Sequence, residues 1–199
     1  MTGIIAHRGF NGLYPENTRR SFEEALKLDI VGIECDVNLT ADGQVVVIHD
    51  LTVDRTSDGS GEVAQMPFDE LRQLNIGTEE DPQQIMLLDE LLDLLEQYPG
   101  KHILIETKHP SPFGAALEEA VADVLRGHGM EADERVHLIS FNPEAIQRFH
   151  RLLPELETFL LADDSFAPVG DCGAGPSVRL AKAQPELCLL YTSPSPRDS

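Results

Sequence analysis

An α/β fold on a parallel sheet is what this 199-residue sequence predicts, and three observations predict it. Short apolar runs, several rich in Val and Ile, recur along the chain and read as strands buried on both faces. Amphipathic stretches with helical spacing lie between them. Polar clusters carrying His, Arg, Glu, Asp and Lys stand at the ends of the runs, where a parallel barrel collects its active groups at one mouth. With 41% hydrophobic and 25% charged residues, the composition is that of a globular protein with one packed core.

In chain order, the apolar runs cover residues 3–6, 30–37, 45–48, 102–105, 136–141 and 158–161. All six are counted as strands. Asn17 is read as the cap of a first helix with Phe22, Ala25, Leu26 and Leu28 on one side. Residues 52–61 form a long polar loop. Further helices are expected over 68–74, 88–98, 115–126 and 142–152. The last opens on Asn142-Pro143-Glu144, a cap followed by proline in the first turn. Pro99-Gly100 and Gly127-His128-Gly129 stop the two helices before it. Residues 162–175 show little periodicity. A weak helix is expected at 177–183 and a doubtful seventh strand at 187–191. One barrel-type domain is therefore expected over 1–191, with a disordered Ser/Pro tail at 192–199.

The formal net charge of −20, from 35 acidic and 15 basic residues, argues against nucleic acid and anionic membrane as general partners. No signal-type or membrane-length apolar stretch is read, so the expected location is cytoplasmic, without stable membrane anchoring. Cys35, Cys172 and Cys188 are odd in number and lack metal-type spacing.

Glu34 and Asp36, two apart in the second strand, share one face, while Ile33, Cys35 and Val37 take the other. In a strand covered by helices the carboxylates point inward. Two like charges there call for a cation or, failing that, a buried salt-bridge network. With Glu106 the donor set is three carboxylates and no sulfur, which suits Mg²⁺, Ca²⁺ or Mn²⁺ better than Zn²⁺. His7 and His49 each follow a strand and can act as general acid and base, either one in either role. Arg8 and Lys108 supply positive charge suited to a phosphate. Together these groups describe phosphoryl-ester cleavage. Asp50 is read as orienting His49 or its loop, Asn17 mainly as a helix cap, and Glu16 as support for the mouth. His102, His109, His128, His137 and His150 are read as structural or solvent-exposed, and Cys35 as packing.

The motifs then show a resemblance. His7-Arg8-Gly9 with Pro15-Glu16-Asn17-Thr18 resembles the first signature of the glycerophosphodiester phosphodiesterase family. Glu34-Cys35-Asp36-Val37, the Asp42-Gly43 turn and Val47-Ile48-His49-Asp50 resemble the second. Residues 56–63 resemble the family's loop, Ile105-Glu106-Thr107-Lys108 its third signature, and Ser140-Phe141-Asn142-Pro143 a later one. The resemblance implies a TIM-type (β/α) barrel that hydrolyses small glycerophosphodiesters to an alcohol and glycerol 3-phosphate. It implies His7 and His49 as the acid–base pair, and Glu34, Asp36 and Glu106 as ligands of a divalent metal. Arg8 and Lys108 would bind the phosphate. The family normally continues through eight strands and a Trp-containing last segment, whereas this sequence has no Trp. A C-terminally truncated barrel of six to seven strands is therefore expected. Two other readings stand beside the enzyme: a non-catalytic fragment of such a barrel, and a related two-histidine phospholipase-type phosphodiesterase.

Overall fold

A computed structural model describes residues 3–163, 165 and 172–183. In chain order the elements are β1 (Ile5–His7), α1 (Arg19–Leu26), β2 (Gly32–Leu39), β3 (Val45–Val47), α2 (Phe68–Leu71), α3 (Leu88–Glu96), β4 (His102–Thr107), α4 (Ala116–Gly127), β5 (Val136–Ser140), α5 (Pro143–Leu152), β6 (Glu157–Ala162), β7 (Gly173–Pro176) and α6 (Val178–Ala183). Six strands form the wall of a TIM-type barrel, in the order β1-β2-β4-β5-β6-β7, each parallel to the next. Among the described residues the wall does not close.

The third apolar run is not a stave. As β3 it pairs antiparallel with β2, Val37 opposite Val47. A parallel return needs a crossover of a dozen or more residues, and the link between β2 and β3 is far shorter. The turn closes on Gly43, at φ 79°, whose N–H donates to Thr40 O. The sixth stave is β7 instead, in the stretch read as aperiodic. Its sequence, Gly-Ala-Gly-Pro, carries no apolar run because its two glycine positions have no room for a side chain. A Cβ on Gly173 would lie 2.2 Å from the Phe159 ring. The expected strand at 187–191, the tail at 192–199 and Cys188 lie outside the described residues.

Two periodicities place the core. The odd positions of β2 (Ile33, Cys35, Val37) face outward against Phe22 of α1, Leu91 and Leu95 of α3, and Val121 of α4. The even positions face the barrel interior, where Leu104, Ile139 and Leu161 pack with Ile5 and Phe159. A separate cluster, Val46, Ile48, Val53, Val63, Phe68, Leu71, Ile76 and Ile85, lies under the excursion from β3 to α3. The long polar loop within that excursion is tied across its base, Val53 N–H donating to Gly61 O and Val63 N–H to Leu51 O.

Helix starts follow local chemistry. Thr18, not Asn17, caps α1, its hydroxyl oxygen accepting from Ser21 N–H. Leu28 falls beyond the end of α1 and is exposed rather than buried with Phe22. Asn142 caps α5 by accepting from Glu144 N–H, with Pro143 first in the helix.

The five remaining histidines are paired away from the mouth. His128 meets Asp89, His150 meets Thr158, and His109 meets the buried Glu118. His102 and His137 lie near the N-terminal ends of their strands, rings parallel and ring nitrogens 2.9 Å apart. Burial pushes the His137 imidazole below its ordinary 6.5, with Glu157 opposing that shift and His102 adding to it. The unfolded chain therefore takes up a proton that the folded chain resists. Stability from this group is full above about pH 6.5 and declines as the pH falls through it. Urea midpoints at pH 7.5 and 5.5 should fall less in His137→Leu than in the parent; equal falls would refute this.

Candidate active site

The first wall strand ends in a left-handed turn. Arg8 at φ 54° and Gly9 at φ 79° fold the chain back over the strand end. Gly9 has no room for a side chain, since a Cβ would lie 2.4 Å from Ser21 Oγ and 2.8 Å from Ser21 backbone. The turn aims Arg8 N–H at Glu34 Oε2, 2.9 Å away. It also buries the guanidinium, with Nε 3.1 Å from Asp36 Oδ2 and Nη1 donating to Glu16 Oε1. Asn17 is part of this site rather than a cap. Held at φ 55°, it donates from Nδ2 to Asp36 Oδ2 at 2.9 Å. An Asn at positive φ is the signal that could have found it, but φ is invisible in sequence.

Glu34 and Asp36 point inward from β2, and Glu106 joins them from β4, where it registers with Asp36. All three are buried, and each offers an oxygen within 4.8 Å of the others. Lys108 closes the group, its Nζ donating to Glu106 Oε1 and standing 3.3 Å from Asp36 Oδ1. The electrostatics divide the triad. Burial first, then the charges of Asp36 and Glu106, pushes the Glu34 carboxyl well up. Burial and Asp36 also raise Glu106. Burial works the same way on Asp36, but Lys108 and Arg8 overcome it and hold that carboxyl below the usual range.

His49 arrives by a different route. The β2–β3 hairpin carries it to the mouth, where Asn38 Nδ2 fixes the turn by donating to Ile48 O. His49 Nδ1 lies 2.6 Å from Asp50 Oδ1. Burial would raise Asp50, but Arg55 and His49 bring it down to about 2, so it is ionised at neutral pH. A carboxylate can only accept, so Nδ1 carries a proton, and in the neutral ring the lone pair is on Nε2. His7 Nε2 lies 3.9 Å from Glu34 Oε2.

These residues surround one cavity of about 370 Å³, lined by His7, Arg8, Glu34, His49, Glu106 and Lys108. Asp36 stays behind the lining, fully buried, and acts on it through Arg8 and Lys108. The lining also includes Phe141, quoted in the sequence only as part of a motif, and Asp163, which the sequence reading did not single out. Both directly follow a wall strand, as Lys108 does. Arg55, outside the lining, joins Asp50 to Glu16 from the long polar loop and had no role in the sequence reading.

The donor set fits a divalent cation. Glu34 Oε1 and Asp36 Oδ1 are buried without a hydrogen bond, although Lys108 stands near the latter. Hard oxygens left bare at this depth are what such an ion takes up. Carboxylates, two imidazoles and two cations around one cavity can bind a phosphate, move protons beside it and meet developing charge.

Comparison with known proteins gives three consistent findings. The model of the glycerophosphoryl diester phosphodiesterase family matches residues 7–182. The chain is 38% identical over 168 residues to the glycerophosphodiester phosphodiesterase of Bacillus altitudinis, covering 82% of this chain and 68% of that one. It is 34% identical over 206 residues to the Mycobacterium tuberculosis protein called probable glycerophosphodiester phosphodiesterase 1, covering 92% of this chain and 75% of that protein. Among solved structures, an Oleispira antarctica phosphodiesterase in complex with the product sn-glycerol-3-phosphate superposes with a TM-score of 0.83 at 27% identity, covering 96% of this chain and 84% of the other.

Proposed function

The chain belongs to the glycerophosphoryl diester phosphodiesterase family and is a phosphoric diester hydrolase, and from that premise we propose how its mouth works: it cleaves glycerophosphodiesters to an alcohol and glycerol 3-phosphate, with His7 and His49 moving protons and a divalent cation, Mg²⁺ or Ca²⁺, on Glu34, Asp36 and Glu106. The observation that carries this reading is the convergence of both imidazoles, Arg8, Lys108, Glu34 and Glu106 on one cavity, with Asp36 directly behind it and buried oxygens of Glu34 and Asp36 left without a hydrogen bond. The product bound by the Oleispira protein supports the glycerol phosphate half of the substrate.

In the first step His49 Nε2 takes the proton from the glycerol hydroxyl next to the phosphodiester. That oxygen attacks phosphorus, and the bond to the leaving alcohol breaks as His7 donates a proton to it. Water then opens the cyclic phosphate with the two imidazoles exchanging roles, which restores both. Arg8 and Lys108 hold the phosphoryl oxygens throughout. When bound, the cation neutralises charge that builds on those oxygens. Glu34, Asp36 and Glu106 would hold it.

The test is release of glycerol 3-phosphate from glycerophosphocholine with Mg²⁺, Ca²⁺ or Mn²⁺, and with EDTA. Release that EDTA abolishes, and that His7→Ala or His49→Ala lowers by about 10²- to 10⁴-fold, is the expected result. The same cation should stabilise the fold, by about 2.7 kcal/mol at a hundred times its Kd, read as a higher melting temperature. No release under any condition would leave the non-catalytic fragment as the better reading. Release only from inositol or sphingolipid diesters would favour the phospholipase-type enzyme.

A further inference from the structure

Arg55 does not line the cavity, yet it makes four hydrogen bonds to two carboxylates at the mouth. Its Nη1 and Nη2 donate to both oxygens of Glu16, at 3.0 and 2.8 Å. Its Nε and Nη2 donate to both oxygens of Asp50, at 2.6 and 3.2 Å. Glu16 in turn accepts from Arg8, and Asp50 accepts from His49. A single guanidinium thus joins the loop after β1, which carries Arg8, to the turn that carries His49.

Arg55 is 48% exposed, and an ordinary ion pair at that exposure contributes little. Two features set this one apart. The planar fork engages two carboxylates in two-pronged fashion, a geometry an ammonium cannot reproduce. Both carboxylates are themselves committed to residues that line the cavity. Asp50 left alone could turn away from His49 or take a second donor from solvent. With both oxygens on Arg55, it must present Oδ1 to Nδ1.

We propose that Arg55 is a positioning residue: through Asp50 it locks His49 in the Nδ1–H form, leaving Nε2 as proton acceptor, and through Glu16 it registers Arg8 against the same imidazole. The proposal rests on the acid–base reading of His49. The lock itself is independent of that reading, and the experiment separates the two.

The first arm is ¹⁵N–¹H correlation spectroscopy of the ¹⁵N-histidine-labelled full chain, with His49 assigned among the seven histidines by its loss in His49→Gln. The parent should show His49 in the single Nδ1–H form at neutral pH. Arg55→Met and Arg55→Lys, on folded protein whose melting curves match the parent's, should show mixed tautomers. The second arm is kinetics. Both variants should lower kcat about 10- to 100-fold, part of the roughly 10²- to 10⁴-fold a positioned acid–base group supplies. The double variant Arg55→Met with Asp50→Asn should lose no more than the larger single loss, because both act along one path.

An unchanged Nδ1–H form in Arg55→Met would overturn the proposal. So would parent-like behaviour of Arg55→Lys, which would make charge alone sufficient, or losses that multiply in the double variant. Mixed tautomers with an undiminished kcat would uphold the lock and count instead against His49 as the acid–base group.

Discussion

Glu34→Gln is expected to lower hydrolysis about a thousandfold, which corresponds to about 4 kcal/mol of transition-state stabilisation, and yet to leave the metal-free protein more stable than its parent. The loss follows from removing one of three oxygen donors and the charge that draws the cation to this depth. The gain follows from what Glu34 does when no cation is there. It is fully buried, its Oε1 has no hydrogen bond, and Asp36 and Glu106 oppose its ionisation. Gln keeps an acceptor for the Arg8 N–H, now 2.9 Å from Glu34 Oε2, while removing the repulsion. Replacing buried charge in this way commonly gains about 1–3 kcal/mol. Glycerol phosphate release with saturating metal, together with urea unfolding in EDTA, measures both halves. If the variant is less stable in EDTA, the carboxylates belong to a salt-bridge network with Arg8 and Lys108, the other reading the sequence left open.

Arg148→Met is expected to cost about 3–5 kcal/mol, enough to unfold a domain of ordinary stability. Glu118, in the first turn of α4, is wholly buried and carries a carboxylate. Its Oε2 accepts from Arg148 Nε of α5 at 2.6 Å, and its Oε1 meets His109 Nε2 at 2.5 Å. Without Arg148 the carboxylate keeps its desolvation cost and loses its permanently charged partner. Adding Glu118→Leu should recover most of the loss, because an apolar side chain needs no partner there. Denaturant unfolding of the parent, the single and the double variants decides it. A single loss below about 1 kcal/mol would place this pair with ordinary surface bridges.

Most of the wall was legible because buried parallel strands must be apolar on both faces. That constraint wrote β4, β5 and the outer face of β2 plainly into the sequence, and six cavity-lining residues followed from their place in or just after the apolar runs. What escaped was governed by constraints of other kinds. β7 reads as loop because Phe159 and Leu161 fill the space its own side chains would need. β3 was seen as a strand but misplaced as a stave, although the short link through Asp42-Gly43 already excluded a parallel return. Asn17 looked like a cap because Asn caps helices well, and only its left-handed backbone turns its amide to Asp36. Arg55 belongs to a long polar loop, where nothing in the spacing says that a guanidinium will reach a carboxylate 39 positions away.

The two imidazoles stand on different foundations. His7 is the last residue of a wall strand, whereas His49 is delivered by a hairpin whose excursion, through residue 87, packs around its own small core. Within one fold this separates inheritance from innovation: the wall carries the three carboxylates and His7, and the excursion can lengthen, shorten or be exchanged as a cassette without re-registering a stave. Evolution could therefore edit what approaches the mouth on the His49 side while leaving the carboxylate floor untouched, provided that each new excursion still returns an arginine to Glu16 and Asp50.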